Sequence, residues 1–212
     1  MRRVPKTAAA GSSSRERILS AAKSLFAARG YENTSTVAIA RQAKTSESQL
    51  MKHFGSKEGM LEVIFDQAWE QVNEQARTAI QSATSPAEKL NVLTALATQA
   101  LLKDPELRLL MLLEGRRIRK EGHMVLLTQG YLEFVRMLDG VLAEMRASGR
   151  LRSEVHPEAI RSALIGMWEG LMRDQLLARR AAYPAHCTAQ DATAIINAVL
   201  GFFTAPAALL SE

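Results

Sequence analysis

Apolar residues recur every three to four positions through most of the chain, which is the spacing of one face of an α-helix. No stretch shows the strict alternation of apolar and polar residues that a half-buried β-strand requires. We therefore predict an all-α fold. Start signals such as Ser-Pro-Ala-Glu, Asp-Pro and His-Pro divide it into helices. The predicted helices cover residues 14–29, 36–43, 46–54, 57–80, 86–102, 105–120, 123–148, 157–182 and 189–204.

Two of these helices are short and joined by a tight turn, within residues 35–54. The second begins at Ser46, because a serine followed three residues later by Gln49 forms a capping box. Its inner face has two large apolar residues, Leu50 and Phe54, and its outer face is polar. Such a helix suits a DNA major groove, where glutamine, serine and lysine side chains contact base edges and phosphates. A capped surface helix in an ordinary helical bundle explains the same spacing.

An ordered set of residues extends this pattern in both directions along the chain. Its members are Ile18, Ala21, Ala22, Leu25, Phe26, Gly30, Tyr31, Thr34, Thr36, Ile39, Ala40, Ala43, Ser46, Leu50, His53, Phe54, Ser56, Lys57, Glu58 and Leu61. With this set, residues 15–69 resemble the DNA-binding domain of the TetR/AcrR family of transcription repressors. The chain departs from the family pattern in the turn, where Lys44-Thr45 replaces Gly-Val. Ser48 replaces a frequent Gly, and Met51 replaces a frequent Tyr that touches a phosphate.

The resemblance implies an N-terminal three-helix helix-turn-helix domain and a larger C-terminal helical domain for ligand binding and dimerisation. We assign residues 1–11 to a flexible basic arm, 12–72 to the DNA-binding domain and 73–212 to the C-terminal domain. The arm either follows the DNA or is a tail without a role. The helix that starts at residue 57 is too long for the small domain alone, so we expect it to connect the two domains stiffly.

Charge is distributed unevenly along the sequence. Residues 1–60 contain 11 Lys and Arg against 4 Asp and Glu, whereas the remainder contains 16 against 18. A basic N-terminal part joined to a slightly acidic body suggests a polyanion as the partner of the former. An uneven distribution by chance is the alternative.

The DNA contacts predicted for this arrangement fall into two groups. Base contacts are expected from Ser46, Ser48, Gln49 and Lys52. Backbone contacts are expected from Thr34, Thr36, Lys44, Thr45, Met51, His53 and Lys57. The last of these lies at a helix N-terminus, where an anion such as a phosphate is favoured.

A helix near the C-terminus is apolar on all sides. Residues 194–210 contain no charge, but the run is too short and too interrupted by Asn, Gly and Pro to span a membrane. Small residues recur every four positions in the preceding helix, which permits a close helix–helix approach. We therefore predict a symmetric homodimer joined by a four-helix bundle, as the resemblance also implies. The predicted interface residues are Ser162, Gly166, Gly170, Ile195, Val199 and Phe202. A monomer with this helix at its centre is the alternative.

The resemblance also implies a small-molecule effector in the C-terminal domain. Large or polarisable side chains on helices expected to surround a cavity are the candidates, although each is also explained by core packing. They are Trp69, Met111, Arg117, His123, Tyr131, Trp168 and Met172. The identity of the effector does not follow from the sequence.

Other classes of function find little support. A helical enzyme would use Glu114, His123 or Cys187, but the sequence has no nucleophile–base pair at motif spacing, no phosphate loop and no paired metal ligands, so no cofactor or metal is expected. A single cysteine and the lack of a signal peptide are compatible with a cytoplasmic protein. We predict a homodimeric transcription repressor that binds a palindromic double-stranded DNA operator. Binding of a small-molecule ligand is expected to release it from the DNA. A helical protein-interaction module with an unused helix-turn-helix remains as the alternative.

Overall fold

The computed structural model describes residues 13–115, 117, 124–178 and 188–203. Within these ranges every regular element is an α-helix and no β-strand occurs, so the predicted all-α class is confirmed. The elements are α1 (Ser14–Arg29), α2 (Thr36–Gln42), α3 (Glu47–Phe54), α4 (Lys57–Ser82), α5 (Pro86–Lys103), α6 (Pro105–Leu113), α7 (Gln129–Ala147), α8 (Pro157–Ala178) and α9 (Ala189–Phe203). The predicted basic arm, His123 and Cys187 lie outside the described residues.

The chain divides into two compact units, Met1–Ile64 and Phe65–Glu212. The division falls inside α4, whereas the boundary predicted from the sequence, after residue 72, lies further along the same helix. No helix in the described part of the chain is long and apolar enough to cross a membrane.

The N-terminal unit packs α1, α2 and α3 around one small core. A capping box between Ser13 and Glu16 fixes the start of α1. Ile18 and Phe26 are buried on its inner face, and the Phe26 and Tyr31 rings lie 5.1 Å apart, between centroids. Leu50 on α3 is fully buried in the same unit. These contacts set the orientation of α3.

In the C-terminal unit, α7 packs against α5 and α8, and α8 also contacts α6 and α9. The part of α4 in this unit is joined to the start of α7 through one glycine. Asp66 Oδ1 accepts a hydrogen bond of 2.7 Å from the backbone N–H of Gly130, and Asn73 Nδ2 donates one of 2.8 Å to the Gly130 carbonyl. A Cβ atom at Gly130 would lie 2.9 Å from Trp69 Cβ, so the two helices approach closely at this point.

Two predicted helix boundaries are wrong. The helix after Pro105 ends at Leu113 and not in the basic run 116–120. Glu114 is its C-cap, and the Gly115 N–H closes the end by bonding to the Leu110 carbonyl, five residues back, at 3.0 Å. The long helix expected from residue 123 begins only at Gln129.

The reason for the late start of α7 is tertiary. Val125 and Leu126 are buried in a turn in which the Leu127 N–H bonds to the Met124 carbonyl. Thr128 then caps the helix by accepting a hydrogen bond from the backbone N–H of residue 131. Burial of two apolar residues in the turn therefore overrides the helical propensity of the segment.

Candidate functional site

Helix α3 presents a polar surface on a buried anchor. Ser46 caps the helix by accepting a 3.2 Å hydrogen bond from the Gln49 N–H, and Leu50 holds it with no exposed surface. Apart from the half-buried Phe54, the other side chains of the helix are exposed and include most of the predicted DNA contacts. These exposed residues are Ser46, Ser48, Gln49, Met51, Lys52 and His53.

The turn before α3 has an unusual backbone. Lys44 has φ of 53°, the left-handed region that favours glycine. The turn is closed by a hydrogen bond from the Thr45 N–H to the Ala40 carbonyl at 3.0 Å. Arg17 Nε on α1 donates to the Ala43 carbonyl at 3.2 Å and so ties the turn to the scaffold. The Lys44 side chain is left exposed beside α3.

Of the two threonines predicted to contact the DNA backbone before this turn, one is unsuitable. Thr34 is 2% exposed, and its hydroxyl donates to the carbonyls of Leu25 and Gly30 at 3.3 and 2.8 Å. It therefore secures the chain after α1, and its assignment to a DNA contact is corrected. Thr36 is half-buried, and its hydroxyl donates to the Glu47 carboxylate, which links α2 to α3.

Lys57 begins α4 at the edge of the same surface. Its Nζ donates to the Tyr31 carbonyl at 2.8 Å and lies 4.2 Å from the centroid of the Tyr31 ring. An ammonium group has three donors, so this hydrogen bond leaves two for a phosphate oxygen. The Ser56 hydroxyl accepts from the Gly59 N–H at 2.9 Å and caps the helix. The Lys57 charge is thus held at a helix N-terminus, where anions are favoured.

The C-terminal unit contains an apolar cavity of about 40 Å³. Three of the residues predicted to contact a ligand line it together, and they are Trp69, Tyr131 and Trp168. Other lining residues come from α5, α7, α8 and α9, and include Thr94, Ala97, Phe134, Leu138, Leu164, Ile165, Glu169 and Ile196. The walls are therefore apolar and aromatic, with one carboxylate.

The two tryptophans of this cavity are held differently. Trp168 Nε1 donates to Thr98 Oγ1 at 2.7 Å. Trp69 is 5% exposed, and its Nε1 has no hydrogen-bond partner among the described residues. Its ring lies 5.3 Å from the Tyr131 ring and 4.8 Å from the Phe134 ring, measured between centroids.

The remaining predicted pocket residues lie elsewhere. Met111 lines a second, smaller cavity together with Trp69. Met172 is fully buried but does not line the larger cavity. Arg117 is exposed, with its Nη1 3.2 Å from Glu114 Oε2, so its placement gives no support to a pocket role.

The face predicted for dimerisation is open to solvent in the single chain. Ser162 and Gly166 on α8 are exposed, and Gly170 is half-buried. On α9, Ile195 is 42% and Phe202 is 66% exposed. Val199, between them, is half-buried, whereas Ile196 is part of the core. No group of three or more potential metal ligands is found among the described residues.

Comparison with known families accounts for both units. Residues 18–64 match the model described as "Bacterial regulatory proteins, tetR family". Residues 65–191 match the model described as "YsiA-like protein, C-terminal region". The chain belongs to the TetR family. The resemblance found in the sequence is thereby confirmed, and the chain is a DNA-binding transcription regulator and not an enzyme.

Among TetR-family relatives, the chain is 26% identical to the fatty acid metabolism regulator protein of Bacillus subtilis over 151 residues. That match covers 70% of this chain and 76% of the relative. The FadR regulator of Bacillus subtilis, solved in complex with stearoyl-CoA, superposes with a TM-score of 0.75 at 22% identity, over 90% of this chain and 97% of that one. The fatty acid degradation regulator FadR of Bacillus halodurans gives a TM-score of 0.74 at 21% identity, over 89% and 96%. Both structures show the same fold.

Within this TetR-family fold, several site residues were missed from the sequence. Thr98 and Glu169 are ordinary polar residues of amphipathic helices, and only the packing of α5 against the C-terminal helices brings them to the aromatic cluster. Ile196 is one of many apolar residues on α9, and nothing in the sequence marks it as a residue of the cavity. Arg41, exposed in the last turn of α2, adds a further cation beside α3 and is visible in the sequence as the basic residue before the turn.

Proposed function

We propose that this regulator is a homodimeric repressor that binds a palindromic operator and is released by an effector with a long apolar chain. The observation that carries the proposal is the polar, exposed surface of α3 on a fully buried Leu50, in a chain of the TetR family. In this proposal Gln49 and Lys52 contact base edges, while Lys44 and Lys57 contact phosphates.

A dimer is supported by the exposed apolar surface on α8 and α9. Ile195 and Phe202 expose large hydrophobic side chains about two helical turns apart. Gly166 has nothing within 4 Å of where a Cβ would lie. A second copy packed here by a twofold axis buries both patches against each other. The same axis relates two α3 helices and matches a palindromic site, as in other helix-turn-helix dimers.

The effector class is supported by the walls of the larger cavity and by the relatives. Aromatic and aliphatic side chains line this space, with Glu169 as a single carboxylate, so an uncharged apolar group is preferred inside. One relative is named as a regulator of fatty acid metabolism, and the fold is shared with a regulator solved with stearoyl-CoA. We propose a fatty acyl thioester whose chain enters the cavity. By linkage it must bind the DNA-free form more tightly than the DNA-bound form.

DNA binding is tested by fluorescence anisotropy on DNA from immediately upstream of the coding sequence and on scrambled DNA, at several salt concentrations. Gln49→Ala should erode selectivity by roughly 1–3 kcal/mol, and Lys52→Ala should do the same at the bases it contacts. Lys103→Ala, at an exposed lysine of the C-terminal unit, is the matched control and should change neither affinity nor selectivity. Equal, weak binding of both DNAs by wild type and variants, repeated in a selection from random sequences, would favour the unused-motif alternative.

The dimer is tested by sedimentation at micromolar concentration. A mass near twice the 23.3 kDa of one chain is expected. Phe202→Asp should shift the equilibrium to the monomer, because it places a charge in the proposed interface. Leu102→Asp, at an exposed leucine of α5, is the control. Wild type sedimenting as a single chain would contradict the proposed dimer.

A further inference from the structure

Two apolar cavities of the C-terminal unit share a wall. The larger, of about 40 Å³, is lined by α5, α7, α8 and α9 as described above. The smaller, of about 10 Å³, lies among α4, α5 and α6 and is lined by residues that include Ala100, Leu107 and Met111. Trp69 and Ala97 line both spaces, so these two side chains separate them.

Neither space takes a long chain in its present form. One water molecule requires about 10–15 Å³ measured in this way, so the larger cavity has room for only a few water molecules. An extended aliphatic chain therefore enters only if side chains move or if the cavities join. Ala97 has no side-chain torsion with which to move aside, which leaves the indole of Trp69 as the adjustable part of the wall.

The hydrogen bonding of the two tryptophans indicates which one is free to move. Rotation of Trp168 breaks its 2.7 Å hydrogen bond to Thr98. Rotation of Trp69 breaks none among the described residues, because its buried Nε1 has no partner there. A buried donor without an acceptor is costly, so a state in which Nε1 reaches an oxygen atom of a ligand is favoured over the present one.

We propose that Trp69 determines the chain length of the effector, acting as a movable wall between the two cavities. With the indole in place, the larger cavity admits only the last few carbon atoms of a chain. With the indole displaced, the cavities become one channel from α9 to α6 that accepts a longer chain. The inference rests on the proposed acyl effector and adds to it the residue that selects among acyl groups.

The test compares binding of octanoyl-CoA and palmitoyl-CoA to the full-length protein by titration calorimetry, without DNA. Trp69→Leu removes the indole that separates the two cavities, so the affinity for palmitoyl-CoA should rise roughly tenfold relative to that for octanoyl-CoA. A tenfold gain corresponds to about two more buried methylene groups. Trp69→Phe, a milder change in case the first variant is poorly folded, should shift the ratio in the same direction by a smaller factor. Circular dichroism verifies the helical content of each variant.

Two further variants distinguish the joining of the two cavities from enlargement of the larger cavity alone. Phe134→Leu enlarges only the larger cavity, since Phe134 does not line the smaller one, and should leave the ratio near that of wild type. Ala100→Leu in the Trp69→Leu background fills the smaller cavity and should abolish the gain for palmitoyl-CoA.

The possible failures are distinguishable. If both thioesters bind and the ratio is the same in wild type, Trp69→Leu and Trp69→Phe, the role of Trp69 is overturned while the acyl effector stands. If Phe134→Leu increases the ratio of palmitoyl-CoA to octanoyl-CoA affinity as much as Trp69→Leu does, the role of Trp69 is also overturned. If no thioester binds wild type or any folded variant, the proposed effector class fails and the role of Trp69 fails with it, whereas the DNA-binding proposal is unaffected.

Discussion

The ammonium group of Lys57 sits above the ring of Tyr31 and donates to the carbonyl oxygen of the same residue, at 4.2 Å and 2.8 Å. One lysine at the start of α4 therefore makes two contacts with the segment that follows α1. Both contacts hold the charge at the edge of the surface proposed to bind DNA.

Replacement of Lys57 should accordingly affect both folding and binding. Lys57→Met keeps the apolar stem over the ring and removes the charge and the hydrogen bond, so the unfolding free energy should fall by about 1 kcal/mol. The dependence of log K on log salt should become shallower by about 1, equally on operator and scrambled DNA. Urea unfolding and anisotropy titrations measure the two effects. A change confined to operator DNA would mean that Lys57 reads bases.

Substitutions at Lys44 separate the effect of its backbone strain on stability from the effect of its charge on DNA binding. An L-residue in the left-handed region costs about 1–2 kcal/mol, and glycine removes most of this cost but adds unfolded-state entropy. Lys44→Gly should therefore stabilise the protein by roughly 0.5–1 kcal/mol, while weakening DNA binding through the loss of one phosphate contact.

Lys44→Ala is the matched control, because it removes the same charge and retains the Cβ atom. It should weaken DNA binding as much as Lys44→Gly without any gain in stability. Equal stabilisation by both variants would show that the strain is not in the backbone of this residue.

Two glycines of α7 should respond in opposite ways to alanine. At Gly130 a methyl group meets Trp69 Cβ at 2.9 Å and the Asp66 carbonyl oxygen at 3.0 Å, so Gly130→Ala should destabilise the protein by roughly 1–3 kcal/mol. At Gly140 nothing lies within 4 Å, and Gly140→Ala should stabilise it by about 0.5–1 kcal/mol. Urea denaturation of both variants measures the contrast. Equal effects at the two positions would contradict the close approach of α4 and α7.

The start of α5 should contribute to acid sensitivity. Hydrogen bonds from the Thr84 N–H and then from its hydroxyl, at 2.7 and 2.9 Å, lower the pKa of the exposed Glu88 carboxyl. Because the folded pKa is depressed, the stabilisation is present above the ordinary glutamate pKa and is lost as the pH falls through the folded value. Glu88→Gln should therefore lose less stability than wild type on acidification.

Thr84→Val keeps the shape of the side chain and removes the hydroxyl donor. The pKa of Glu88 should then rise part of the way back toward its ordinary value, since the backbone donor remains. An NMR titration of the Glu88 carboxyl carbon measures this directly. An unchanged titration curve would mean that the Thr84 backbone N–H, and not its hydroxyl, lowers the pKa of Glu88.

Local signals in the sequence predict most of the fold. The sequence predicts helix caps at Ser46 and at the serine of Ser-Pro-Ala-Glu, Ser85, and each accepts a hydrogen bond from the backbone N–H three residues later. Such local signals do not predict a helix boundary that is set by burial of side chains in the core. The start of α7 was misplaced because Val125 and Leu126 are drawn into the core from a turn, and no local residue reveals this.

The sites are predicted less completely, for a related reason. The polar face of α3 follows from periodicity, but periodicity does not show that the Thr34 hydroxyl is used by the end of α1. Aromatic residues of the cavity stand out by size, whereas the pairing of Thr98 with Trp168 depends on helices far apart in sequence. The DNA contacts, the interface and the pocket roles therefore remain predictions that the variants above test.

Both the N–H and the carbonyl of Gly130 are hydrogen-bonded to side chains of α4, so this residue can report motion between α4 and α7. Amides in the first turn of a helix lack an intrahelical acceptor, and they ordinarily exchange their protons with solvent early. The Gly130 N–H is instead bonded to Asp66, and its carbonyl accepts from Asn73. Deuterium uptake at this one amide therefore reports how often α4 separates from α7. A change in its rate with effector reveals movement of α4 without an attached chemical probe.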